Sequence, residues 1–142
     1  MSTDDRREVS MERLAKGRFR VSNPDGAVIE VGEHGSGLFT PTELLMVGIA
    51  SCTGIDVDYI TSKRAEPQDY SITMTANKIR DEHGNRLVDL DISFSITFPE
   101  GEAGDAAREI LPSAIQRSHE RLCTAGRTVE VGTPIRAHIA GE

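Results

Sequence analysis

Tryptophan is absent and aromatic residues make up only 4% of the chain, so any core has to be built from Leu, Ile, Val and Ala. Positive charge is in short supply: 16 Lys and Arg against 23 Asp and Glu leave a net charge of −7. That balance argues against nucleic acid and against anionic membrane surfaces as partners. Long hydrophobic runs are missing as well. The charge-free stretch from Leu44 to Ile55 falls short of the roughly 20 apolar residues that span a bilayer. The opening MSTDDRREVS has no apolar segment of the secretory kind, which leads us to expect a cytoplasmic protein. Only two cysteines occur, with no CxxC, and in a reducing compartment such thiols are more often free, redox-active or metal-binding than structural. Repeats, low-complexity segments and long linkers are also lacking. At 142 residues the chain is expected to be one domain, 1–142, with the polar residues 1–8 frayed.

What is present is organised around Thr40 to Arg64. Thr40 is a good helix N-cap, Pro41 suits the first helical position, and Glu43 stands three residues after the cap, completing a capping box. Apolar residues from Leu44 to Ile60 fall on nearly every side of the helical wheel, which predicts a helix buried all round. Gly48, Ala50, Ser51, Thr53 and Gly54 are small enough to let another backbone approach, and Cys52 sits among them.

Before this helix, Val9 to Ser22 reads as a strand broken or bulged near Gly17, with Lys16, Arg18 and Arg20 on one face. Asn23-Pro24-Asp25-Gly26 is a turn signal, and Ala27–Val31 a second strand. After it, Tyr70–Ile79 and Leu87–Phe98 alternate cleanly around the solvated turn Asp81–Asn85, predicting a long antiparallel hairpin. Asp105 to about Leu122 reads as an amphipathic helix with Ala106, Ile110, Ala114 and Ile115 inward and Pro112 within it. A short helical segment from Cys123 to Val131 and a last strand through Ile139 complete the order ββ-α-ββ-α-α-β. Antiparallel strands separated by lone helices define an α+β fold.

Three readings compete for the cysteines. They can be small buried hydrophobes. They can form a redox pair, since a thiol starting the segment at Cys123 would feel the positive end of a helix dipole, which lowers a thiol pKa. Or Cys123 and His119, at i and i+4, can share a metal with Cys52, although no fourth ligand is evident.

Pro41-Thr42-Glu43-Leu44-Leu45 followed by Ala50-Ser51-Cys52-Thr53-Gly54-Ile55-Asp56-Val57 resembles the OsmC/Ohr family of osmotically induced and organic hydroperoxide resistance proteins. His119-Glu120-Arg121-Leu122-Cys123, Gly126-Arg127-Thr128 and Gly132-Thr133-Pro134 extend the resemblance over nearly all of the chain after residue 9, closest to the OsmC-like branch. The resemblance implies an intertwined homodimer whose long central helices pack together, with sites at the interface. It implies that Cys52 attacks the peroxide bond of an organic hydroperoxide and that Cys123 resolves the sulfenic acid. It further implies a dithiol reductant such as protein-bound dihydrolipoamide, and neither metal nor flavin cofactor. Family members use an arginine from the N-terminal strands, held by a glutamate near the start of the central helix. Arg18, with Arg20 as runner-up, and Glu43 are the matching positions. Glu43 stands two residues after Pro41 where the hydroperoxide resistance proteins have it one after, a rotation of about 100 degrees on the helix. Its capping role alone would account for it. Asp56, one turn beyond Cys52, would either position Arg18 or raise the thiol pKa, and His119 packs or caps. The expected function is thus a thiol peroxidase. The rival is a non-enzymatic dimer binding a small apolar or thiol ligand, and a structural domain with incidental cysteines ranks last.

Overall fold

The computed structural model describes residues 5–142, so part of the segment expected to fray, residues 1–4, lies outside the described residues. The chain forms two compact units, Met1–Leu45 and Met46–Glu142.

In the first unit, strands β1 (Ser10–Ala15), β2 (Arg18–Ser22) and β3 (Val28–Gly32) make an antiparallel sheet in chain order. Of the two expectations for Val9 to Ser22, a strand broken or bulged near Gly17, the break is what forms, and it makes a hairpin. Gly17 adopts φ +72°, a left-handed value that lets the chain reverse within two residues, and Arg18 pairs with Ala15. Lys16 is therefore in the turn and not on the face of Arg18 and Arg20. The next reversal is built by Asn23, whose Oδ1 accepts the N–H groups of Asp25 and Ala27, each at 3.0 Å. At the start of helix α1 (Pro41–Ser62) the capping box forms: Glu43 Oε1 accepts the Thr40 N–H at 2.9 Å and its hydroxyl at 3.0 Å.

The second unit holds the rest of α1, the hairpin β4 (Asp69–Asp81) and β5 (Gly84–Thr97), helix α2 (Glu102–Arg117), a π-helical turn Ser118–Leu122 and helix α3 (Thr124–Val131). The two strands form a sheet of their own. Asp81 closes its turn by accepting the His83 N–H at 2.9 Å and the Arg86 guanidinium at 2.7 and 2.9 Å. Tyr70, Ile72 and Met74 alternate inward along β4. One face of α1 is buried, carrying Ile49, Thr53, Val57 and Thr61, while Val47, Ile55 and Tyr59 are exposed; the helix is not buried all round as its sequence led us to expect. At 22 residues α1 is also long and apolar enough to cross a membrane by length and composition, since the helix extends well beyond its charge-free run. A second cluster joins Ala65, Phe98 and Ala107, with Ile96 and Leu111 against it.

Two further expectations are corrected. Along α2 the buried positions are Gly104, Ala107 and Ala114, continued by Ser118, so Ala107 and not Ala106 faces the core. The last strand through Ile139 does not form: residues 132–139 take neither helix nor strand, and Ile135 and Ile139 are exposed. Alternation in Ile135, Ala137 and Ile139 sets which side chains share a face, but a strand also needs a neighbour.

Tyr70 ties the sheet to α1 by donating its hydroxyl to the Gly54 carbonyl at 2.7 Å. Burial pushes its pKa up to about 12 from an ordinary value near 10. The unfolded chain therefore loses this proton first as pH rises. The stability gained by keeping Tyr70 protonated is complete below pH 10 and is lost as pH climbs toward 12. Tyr70→Phe is expected to lower stability by about 1 kcal/mol at pH 7 and to fall less steeply above pH 10 in urea titrations.

Candidate active site

Cys52 lies at the start of the fourth turn of α1 and is partly exposed, whereas Cys123 is buried; both are free thiols. The chain reaches Cys123 through the π-helical turn. Where α2 would continue with i to i+4 bonds, the Cys123 N–H instead donates to the Ser118 carbonyl at 2.8 Å, one residue further back. Cys123 then becomes the N-cap of α3, in extended conformation. Its Sγ accepts the Gly126 N–H at 3.2 Å and donates to the Ile49 carbonyl at 3.7 Å.

The two thiols meet at this helix start. Burial pushes the Cys52 thiol above its ordinary value; the backbone N–H groups of Ala125 and Thr124 pull it down, while the neighbouring Cys123 thiol raises it further. The helix terminus thus favours a thiolate at Cys52, and desolvation outweighs it. Asp56, one turn along α1, accepts the hydroxyl of buried Ser118 at 2.8 Å.

A cavity of about 350 Å³ opens beside Cys123, walled by Ile49, Met74, Ile92 and Phe94, with the polar groups of Asp91 and Glu130 also lining it. His119 lines it too, with Nδ1 3.5 Å from Glu130 Oε1. Among the described residues no group of three or more His, Cys, Asp or Glu is arranged to hold a metal.

In the first unit, Arg18 donates two hydrogen bonds to Glu30 Oε1, at 2.7 and 2.9 Å, and Arg20 lies 3.7 Å from Glu12. The carboxylate that holds Arg18 is thus Glu30 on β3, and Glu43 is occupied by Thr40. The Thr40 N–H and hydroxyl keep the Glu43 carboxyl below its ordinary pKa. Sequence reasoning brought Cys52 and Cys123 forward and missed Glu30 and Ser118. Glu30 was legible in principle, because a hairpin through Asn23–Gly26 sets it diagonally across from Arg18. Ser118 carried no signal, since its role depends on a winding that departs from the α-helix.

A mixed α+β protein with a pair of adjacent thiols at a helix N-terminus is the class that the fold and site define. The OsmC-like protein family matches residues 33–138, and the chain belongs to it. An uncharacterised protein of Mycobacterium tuberculosis strain H37Rv is 30% identical over 136 residues, covering 91% of this chain and 93% of its own. Among solved structures, a hypothetical protein from Aquifex aeolicus is 28% identical with a TM-score of 0.72, covering 92% of this chain and 91% of its own. An OsmC-like protein from Vibrio cholerae has a TM-score of 0.75 at 13% identity over 89% of this chain and 95% of its own, a likeness of fold. The organic hydroperoxide resistance protein OhrB of Bacillus subtilis shares the fold at a TM-score of 0.54 and 16% identity, covering 87% of this chain and 90% of its own.

Proposed function

We propose that this protein is a cytoplasmic thiol peroxidase of the stress response that reduces organic hydroperoxides. The observation that carries the reading is the meeting of Cys52 and Cys123 at the start of α3. The Cys52 thiolate attacks an oxygen of the hydroperoxide, the O–O bond breaks, and the leaving alkoxide takes a proton to become an alcohol. Cys52 is left as a sulfenic acid. Cys123 sulfur attacks it, a disulfide forms and water departs, which removes the acid before it is oxidised further. A dithiol, with dihydrolipoamide as the candidate, then reduces the disulfide.

Because burial holds Cys52 up, the mechanism needs a cation, and the family resemblance alone puts Arg18 forward for that part. The site belongs to a homodimer in this reading. Val47, Ser51, Ile55 and Tyr59 recur every four residues along an exposed stripe of α1, with Cys52 at its border. Such a stripe suits a second copy of the helix.

A non-enzymatic reading, in which the dimer binds a small apolar or thiol-containing ligand, is favoured by the raised Cys52 thiol and the apolar cavity. Stopped-flow mixing of reduced protein with cumene hydroperoxide and with hydrogen peroxide separates the two. The peroxidase reading expects rapid oxidation favouring the organic peroxide, and rates no better than a free thiol would leave the binding module. A positive group beside a thiol favours its ionised form, so Arg18→Ala should move the pH midpoint of the reaction upward. One pH unit would slow oxidation about tenfold at pH 7.

A further inference from the structure

Asp56 and Ser118 play no part in the steps above, yet they join the two segments that carry the thiols. We infer that the Ser118–Asp56 hydrogen bond positions Cys123 for closure onto Cys52, making both positioning residues of the disulfide-forming step; the inference rests on the reading that Cys123 traps the Cys52 sulfenic acid.

Ser118 holds on in two directions. Its hydroxyl donates to Asp56 at 2.8 Å, one turn beyond Cys52 on α1, and its carbonyl accepts the Cys123 N–H at 2.8 Å. One residue therefore ties the backbone of Cys123 to the helix of Cys52. The tie is needed because a π-helical turn is a poor local winding that persists only with tertiary support. The hydroxyl is fully buried, so losing its acceptor leaves an unpaired polar group in the core. Sγ of Cys123 is itself bonded to Gly126 and Ile49, and its S–H bond to the Ile49 carbonyl is lost when the disulfide forms. With that bond gone, the grip on Ser118 keeps the Cys123 backbone in range. Attack of one sulfur on another requires close, aligned approach, and misplacement by about 1 Å can cost about a hundredfold.

The test uses diamide on the full-length reduced protein. One thiol adds to its N=N bond, and the second attacks that thiol's sulfur, breaking the S–N bond so that the disulfide forms and the hydrazine leaves with the proton; closure is thus read without any peroxide. Asp56→Ala and Ser118→Ala are expected to close the Cys52–Cys123 disulfide about tenfold more slowly than the parent. Asp56→Asn, which keeps an acceptor, should stay within about threefold. Alkylation of Cys52 by iodoacetamide should be unchanged in Asp56→Ala, which a general loosening of the site would not allow. Asp56 is partly exposed, so Asp56→Ala decides the matter even where Ser118→Ala fails to fold. Closure by Asp56→Ala at the parent rate, or slowing matched by altered alkylation, overturns the inference. A parent protein that closes with diamide but ignores cumene hydroperoxide would refute the peroxidase reading and leave this geometry standing.

Discussion

Cys52→Ser is expected to reduce cumene hydroperoxide consumption to the uncatalysed rate, a loss of at least about a thousandfold, because the nucleophile is gone and no substitute replaces it. Cys123→Ser should behave differently. Its first oxidation proceeds at close to the parent rate, after which turnover stops and excess peroxide drives Cys52 on to the sulfinic acid. The division of labour follows from the surroundings of each sulfur. Cys52 is partly exposed and faces the N–H groups of Thr124 and Ala125, which stabilise a thiolate. Cys123 is 1% exposed and already donates to a carbonyl. Dimedone trapping followed by peptide mass analysis checks the assignment. Label on Cys123 in the Cys52→Ser protein, with rapid peroxide loss, would reverse the roles.

The largest effect on stability is expected at Gly104, in the first turn of α2. A Cβ built there falls on the carbonyl oxygen of Pro99, and a backbone atom cannot step aside as a side chain can. Gly104→Ala is therefore expected to destabilise the fold by about 3 kcal/mol, read as a lowered urea midpoint with little change in slope. Gly54 offers the contrast. An added Cβ would come 2.6 Å from Ile72 Cδ1, the far end of a flexible side chain that can rotate away. Gly54→Ala should cost markedly less. Equal losses at the two positions would mean that the start of α2 is more yielding than its packing implies.

Particular residues show how far the sequence carries. Thr40, Pro41 and Glu43 specify the start of α1 because a helix cap is a local event, and the alternation of Tyr70 to Phe98 specifies a hairpin because period and turn lie within one short stretch. The α+β class follows from those elements and their order. Local pattern fails where the outcome depends on a distant partner. Val9 to Ser22 has the composition of a strand, and only the left-handed Gly17 turns it into two. Ile135 to Ile139 alternates like a strand and forms none among the described residues. Of the candidate site, the two motif cysteines were legible, and so was a basic strand bearing Arg18 and Arg20. Glu30 as the carboxylate holding Arg18 is readable only once the hairpin register is worked out, and the π-helical turn that places Cys123 is not readable at all, since no residue type announces that winding.

Peptide mapping of the reduced protein after one equivalent of cumene hydroperoxide tests the central claim, that two thiols from separate segments form one working pair. The account predicts one equivalent of alcohol, loss of both thiols, and a single cross-linked peptide joining Cys52 to Cys123 within the same chain. Free thiols at both positions, or a Cys52 that pairs only with added small thiols or with another chain, would contradict it.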